Sequence, residues 1–216
     1  MGPLLAGAPD VGATDGGEAP ELEVPFGCGR TFPVSQAHQT GSHQHKDAFA
    51  WDFRMPEGEP IVAARDGVVR LARGDSSVGA CDVRLAAEAN FVVVAHEGGL
   101  ETQYLHFSKV VVKPGDAVKA GDLLGYSGRT GWACGAHLHF KVARTGSSWN
   151  NDSVPARLVG HGDAQVSQLV RAPRCTPERP YLASLPRQDA SKAVAASLER
   201  PDAGVGSASP PVPAAR

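Results

Sequence analysis

The chain lacks the features that would send it to a nucleic acid, a membrane or a zinc ribbon. Its 21 Lys and Arg nearly balance 23 Asp and Glu, leaving a formal charge of -2 without any basic stripe. A nucleic-acid binder normally carries such a stripe, so no nucleic-acid partner is expected. No apolar run approaches the roughly 20 residues that cross a bilayer, so no transmembrane segment is expected. The opening stretch MGPLLAGAPD has neither a basic start nor a full apolar segment, and no signal peptide is identified in it. Cys28, Cys81, Cys134 and Cys175 are widely spaced and form no CxxC pair, which disfavours a structural zinc ribbon. No HExxH occurs, which excludes a helical zincin mechanism. Helical periodicity is scarce, and no solenoid or propeller repeat is visible.

What is present reads as one domain between two plain ends. At 216 residues the chain can bury a core that needs no metal or disulfide to hold it. Residues 1–23 are rich in Gly, Ala, Pro and acidic residues and read as a flexible leader. Residues 184–216 read as a disordered or weakly helical tail ending in SASPPVPAAR. The span 24–183 is the expected domain. Four cysteines without CxxC fit two disulfides of an exported protein. Three pairings are open. Cys81 with Cys134 is expected because both sit in Gly-rich loop contexts, leaving Cys28 with Cys175.

Short β-branched or aromatic stretches at 60–64, 67–71, 90–96, 102–107 and 123–127 alternate with turn signals such as Arg65-Asp66-Gly67 and Glu97-Gly98-Gly99. This is the pattern of an all-β protein, an antiparallel β-sheet or sandwich. The polar insertion at 73–89 reads as the rim of a functional groove.

The most informative run is Gly135-Ala136-His137-Leu138-His139-Phe140. In a strand, His137, His139 and Lys141 share one face and Leu138, Phe140 and Val142 the other. Two imidazoles on a rigid strand face make half of a metal site. Asp52, between Trp51 and Phe53, takes the polar parity of its own stretch, and His43 and His45 lie just upstream. His106 shares a parity with Thr102 and Tyr104, with Leu105 and Phe107 expected to pack inward. Asn90 and Tyr104 read as groups that touch substrate or orient a ligand. Trp132 and Trp149 are candidates for lining a substrate groove but read first as partly buried packing residues, and His38, His96 and His161 as surface or structural ones.

Taken together, Ser42-His43, Ala50-Trp51-Asp52-Phe53, Met55-Pro56-Glu57-Gly58, Ala64-Arg65-Asp66-Gly67-Val68-Val69, Tyr104-Leu105-His106, Val112-Lys113-Pro114-Gly115-Asp116-Ala117-Val118 and the HLHF run resemble the lysostaphin-type (LytM-like) zinc metallopeptidases over about residues 26–142. The resemblance implies the fold of that family, with long loops forming a groove. It implies one zinc ion per chain, bound by His43, Asp52 and His139, with His106 and His137 as catalytic histidines. A metal-activated water would then cleave stem or cross-bridge peptides of bacterial peptidoglycan, outside the cytoplasm, by a chain expected to be monomeric. Asp47 satisfies an HxxxD spacing with His43. Asp52, however, stands before the Met-Pro segment as the family's ligand does, so Asp47 reads as a solvated loop charge. His45 stands where a glycine is expected and competes with His43.

Two other classes compete. A catalytically inactive relative that binds cell wall or activates an amidase would usually have lost metal ligands, which this chain keeps. The segment 112–125 also resembles half of a biotinyl or lipoyl carrier domain, but no attachment-lysine tripeptide is present.

Overall fold

The computed structural model describes residues 19–174. At its centre lies the strand His137–Arg144, and its alternation is as expected. Leu138, Phe140 and Val142 are buried in the core, while His137 and His139 line a groove on the opposite face. Eight strands form one antiparallel sheet, in the spatial order Ala117–Val118, Gly67–Arg73, Phe91–Ala95, Leu100–Leu105, His137–Arg144, Ala50–Arg54, Thr31–Gln36 and Leu169–Arg171. Pro60–Val62, Leu123–Tyr126 and Lys109–Val110 make a smaller antiparallel sheet. Short parallel pairs join Glu21–Leu22 to Arg157–Leu158 and Gly79–Ala80 to Gly131–Trp132. Among the described residues helix is confined to the 3-10 segments His45–Asp47 and Val83–Glu88, so the domain is nearly all-β. None of the described helices is long and apolar enough to cross a membrane.

One face of the large sheet is apolar. Trp51, Phe53, Tyr104, Leu138 and Phe140 pack there with Phe26, Ile61 and Leu124 in one cluster. Burying a side chain of this size contributes roughly 1.5–3 kcal/mol relative to leaving it exposed. The other face is polar yet also buried, carrying Asp52, Glu101, Gln103, His139 and Lys141. Register places His139 opposite Asp52 on one side and Leu105 on the other, and Lys141 opposite Ala50 and Gln103.

Two expectations change here. The strand Leu100–Leu105 runs with the opposite parity to that expected: Tyr104 belongs to the core, and Leu105 lines the groove. His106 reaches the groove because the strand has ended and its backbone turns left-handed, φ 71°. Leu22, placed by composition in the leader, is buried against the domain. The expected Cys81–Cys134 disulfide is present, whereas Cys175 of the Cys28–Cys175 pair lies outside the described residues.

Tyr104 is a structural anchor. Its hydroxyl accepts the Ala64 N–H at 2.8 Å and lies 3.0 Å from Thr102 Oγ1. Burial pushes its phenol up to about 12. Tyr104→Phe leaves the buried Ala64 N–H without its acceptor and is expected to cost about 1–3 kcal/mol. Chemical denaturation checks this, and an unchanged midpoint would refute it.

Candidate metal centre

His43 leaves the turn after Thr31–Gln36 with its side chain buried. Its Nδ1 lies 3.0 Å from the Ala37 carbonyl oxygen. A carbonyl can only accept, so Nδ1 carries the proton and Nε2 keeps a lone pair. That Nε2 is buried, 3.1 Å from Asp52 Oδ1, yet has no hydrogen-bond partner, because two acceptors face each other. Asp52 Oδ1 also accepts from His139 Nδ1 at 2.9 Å, and Oδ2 accepts from Gln36 Nε2 at 2.5 Å. One donor atom each from His43, Asp52 and His139 lie within 4.8 Å of one another. An orphaned buried lone pair beside a carboxylate and a second imidazole is a donor set that fits a divalent cation such as zinc.

Charge in this pocket is arranged around a cation. Burial pushes the Asp52 carboxyl up, but the hydrogen bond from His139 and the charge of that ring outweigh it and hold it well below the usual carboxylate range. For His139 burial favours the neutral ring, but Asp47 and Asp52 prevail and raise it to about 9. The field that draws a proton onto His139 equally favours a metal ion.

The remaining two histidines border the trio. His106 donates from Nδ1 to the Thr130 carbonyl at 2.7 Å, leaving Nε2 unengaged. Burial, reinforced by His137 and His139, lowers its pKa to about 3, so the ring stays neutral at ordinary pH. His137 donates from Nδ1 to the Gly135 carbonyl at 2.9 Å, and its Nε2 lies 3.8 Å from Asp52 Oδ2. The His106 and His137 rings are 4.4 Å apart.

Residues 46–151 match peptidase family M23. The chain carries an M23 domain. Asp52, His106, His137 and His139 fall inside the matched span, and His43 stands just before it. Over 99 residues, 46% of this chain and 21% of the relative, it is 38% identical to peptidoglycan DD-endopeptidase ShyA of Vibrio cholerae. Over 120 residues, 54% of this chain and 31% of the relative, it is 36% identical to glycyl-glycine endopeptidase ALE-1 of Staphylococcus capitis. The chain thus spans well under half the length of these curated relatives. Among solved structures, the antimicrobial peptidase lysostaphin from Staphylococcus simulans gives a TM-score of 0.46 at 27% identity, covering 57% of this chain and 47% of that one.

The M23 domain opens the site into a groove of about 700 Å³. Trp132 and Trp149 both line it, Trp149 stacked on Phe91 with ring centroids 5.1 Å apart. The Cys81–Cys134 disulfide ties the 73–89 insertion to the segment leading into His137. His45 is exposed with φ 51°, outside the cluster, and a positive φ is why a glycine suits that position.

Three readings of individual residues are corrected. Asp47 is no solvated loop charge: its Oδ1 lies 2.7 Å from Lys141 Nζ and 3.5 Å from His139 Nε2. Burial pushes its carboxyl up, but His139 and Lys141 prevail and hold it below the ordinary range. Tyr104 faces the core, away from substrate. Asn90 is buried, and its Nδ2 donates to the Ser76 and Phe107 carbonyls, tying the 73–89 insertion to the residue after His106. Thr130 gave no sequence signal. Its Oγ1 accepts Asn90 N–H at 3.0 Å and lies 3.0 Å from the Phe107 carbonyl, while its own carbonyl orients His106.

Proposed function

We propose that the chain is a zinc-dependent endopeptidase that hydrolyses peptide cross-links of bacterial peptidoglycan. The observation that carries this reading is the unpartnered Nε2 of buried His43, aimed at Asp52 and His139 with two further histidines alongside. His43, Asp52 and His139 would hold the zinc. Once bound, the ion supplies Lewis acidity, polarising the scissile carbonyl and lowering the pKa of water. The groove holds the peptide extended beside Trp132 and Trp149. Neutral His106, fixed through Nδ1 by Thr130, takes up a proton at Nε2. His137, when protonated, donates from Nε2 to the carbonyl oxygen as negative charge develops there. The Cys81–Cys134 disulfide supports work in an oxidising, extracytoplasmic setting, where such bonds persist. The chain acts as a monomer in this reading.

Elemental analysis of the purified chain, paired with clearing of isolated peptidoglycan, tests the proposal. About one zinc per chain is expected, with clearing abolished by a chelator and restored by added zinc. Neither zinc nor clearing would refute it and favour an inactive wall-binding or amidase-activating role.

A further inference from the structure

We propose that Arg54 reads a free carboxylate on the nitrogen side of the scissile bond, so that the chain cleaves D-alanyl bonds to a carboxylate-bearing residue in preference to glycine bridges. This rests on the endopeptidase reading and narrows it to a substrate class. Arg54 ends the strand Ala50–Arg54, two residues beyond Asp52 and therefore on the same face. Register sets it directly across from His137, one step along from the Asp52–His139 pair. Directly opposed residues in an antiparallel pair have Cβ atoms roughly 4.5–5.5 Å apart, so the Arg54 side chain starts beside His137 and lines the same groove.

Its chemistry is uncommitted. Arg54 is exposed and lines the groove, and among the described residues no hydrogen bond or ion pair engages it. It is the only lysine or arginine among the described residues lining that groove. Nearby cations are occupied: Arg129 pairs with Glu57 at 3.3 Å, and Lys141 is buried against Asp47. The groove's own carboxylates are taken as well, Asp52 by His139 and Gln36 and Asp47 by Lys141. An arginine fork matches a carboxylate bidentately, and here the protein provides none.

The side of the bond follows from peptide chemistry. The α-carboxyl of the carbonyl-side residue is consumed in the scissile amide. A free carboxylate one carbon from that amide therefore belongs to the nitrogen-side residue. A D-alanyl–diaminopimelate cross-link carries one on the carbon bearing the amide nitrogen. A lysine side-chain amine or a glycine within a bridge does not.

The test uses the full zinc-loaded chain and three defined peptides. These are a D-alanyl–diaminopimelate cross-linked dimer, the same dimer with that carboxylate amidated, and a pentaglycine-bridged dimer. The native chain is expected to favour the free acid over its amide by about 10–100-fold in kcat/KM, as loss of a charge-assisted hydrogen bond implies. Arg54→Gln is expected to bring that ratio close to one, and Arg54→Lys to keep part of it, with zinc content and melting temperature unchanged in both. A ratio near one in the native chain, or a ratio that survives Arg54→Gln, overturns the assignment while leaving the endopeptidase reading intact. Cleavage of none of the three overturns both.

Discussion

Protein carrying His139→Ala is expected to lose zinc and peptidoglycan clearing together, while His137→Ala keeps the zinc and loses about 10²–10⁴ in turnover. The two residues sit on one strand face, so their contrast separates holding a metal from moving a proton. His139 is the donor pressed between carboxylates, with Asp52 2.9 Å from Nδ1 and Asp47 3.5 Å from Nε2. Alanine there removes one of three donors and leaves His43 and Asp52 as an incomplete set. His137 is 3.8 Å from Asp52 and anchored only to the Gly135 carbonyl, so its removal leaves the trio in place. Metal content and clearing rate measured on the same preparations decide it. Zinc retained by His139→Ala, or near-native turnover in His137→Ala, would falsify these roles.

Lys141→Ala is expected to destabilise the domain by about 3–5 kcal/mol, the usual cost of breaking a buried ion pair, which lowers Tm by roughly 10 °C at this size. The Lys141 side chain is fully buried. Its ammonium donates to Asp47 Oδ1 at 2.7 Å, the Lys46 carbonyl at 3.1 Å, the Asn151 carbonyl at 2.9 Å and Asn150 Oδ1 at 2.5 Å. It therefore fastens the turn after His43 and the loop after Trp149 to the central strand. Without it the carboxylate and carbonyls lose their donor, and Asp47 is left as an uncompensated charge next to His139. Lys141→Met keeps the stem's packing and should recover part of the loss. Thermal unfolding of zinc-loaded protein is the measurement, and an unchanged Tm in Lys141→Ala would show that the network carries no stability.

Alternation made much of the site legible. His137 and His139 against Leu138 and Phe140, and Asp52 between Trp51 and Phe53, declare their faces by residue type alone, because a half-buried strand sorts side chains by polarity. The all-β character and the Cys81–Cys134 bond follow from equally local signals. His106 faces the groove as expected, but by a left-handed turn that ends the alternation rather than by sharing a face with Tyr104, and φ cannot be read from a histidine's side chain. The buried parity of Thr102 and Tyr104 was hidden for a different reason: their hydroxyls are satisfied inside the core, so polarity misreports exposure. Asp47 depends on Lys141, 94 positions away, and Thr130 acts through its backbone carbonyl, which every residue possesses. Neither kind of contact leaves a mark on the local sequence.

The strands bearing Asp52 and His139 are neighbours inside the eight-stranded sheet, each hydrogen-bonded on both sides. Such interior ladders belong to the part of a protein whose amides exchange with solvent only when the whole molecule opens. Two of the three proposed metal donors are therefore set in interior strands of the sheet, and only His43 enters from a turn. An ion arriving at this pocket meets side chains already in place and orders little of the chain on binding, so its affinity reflects donor chemistry with small entropic loss.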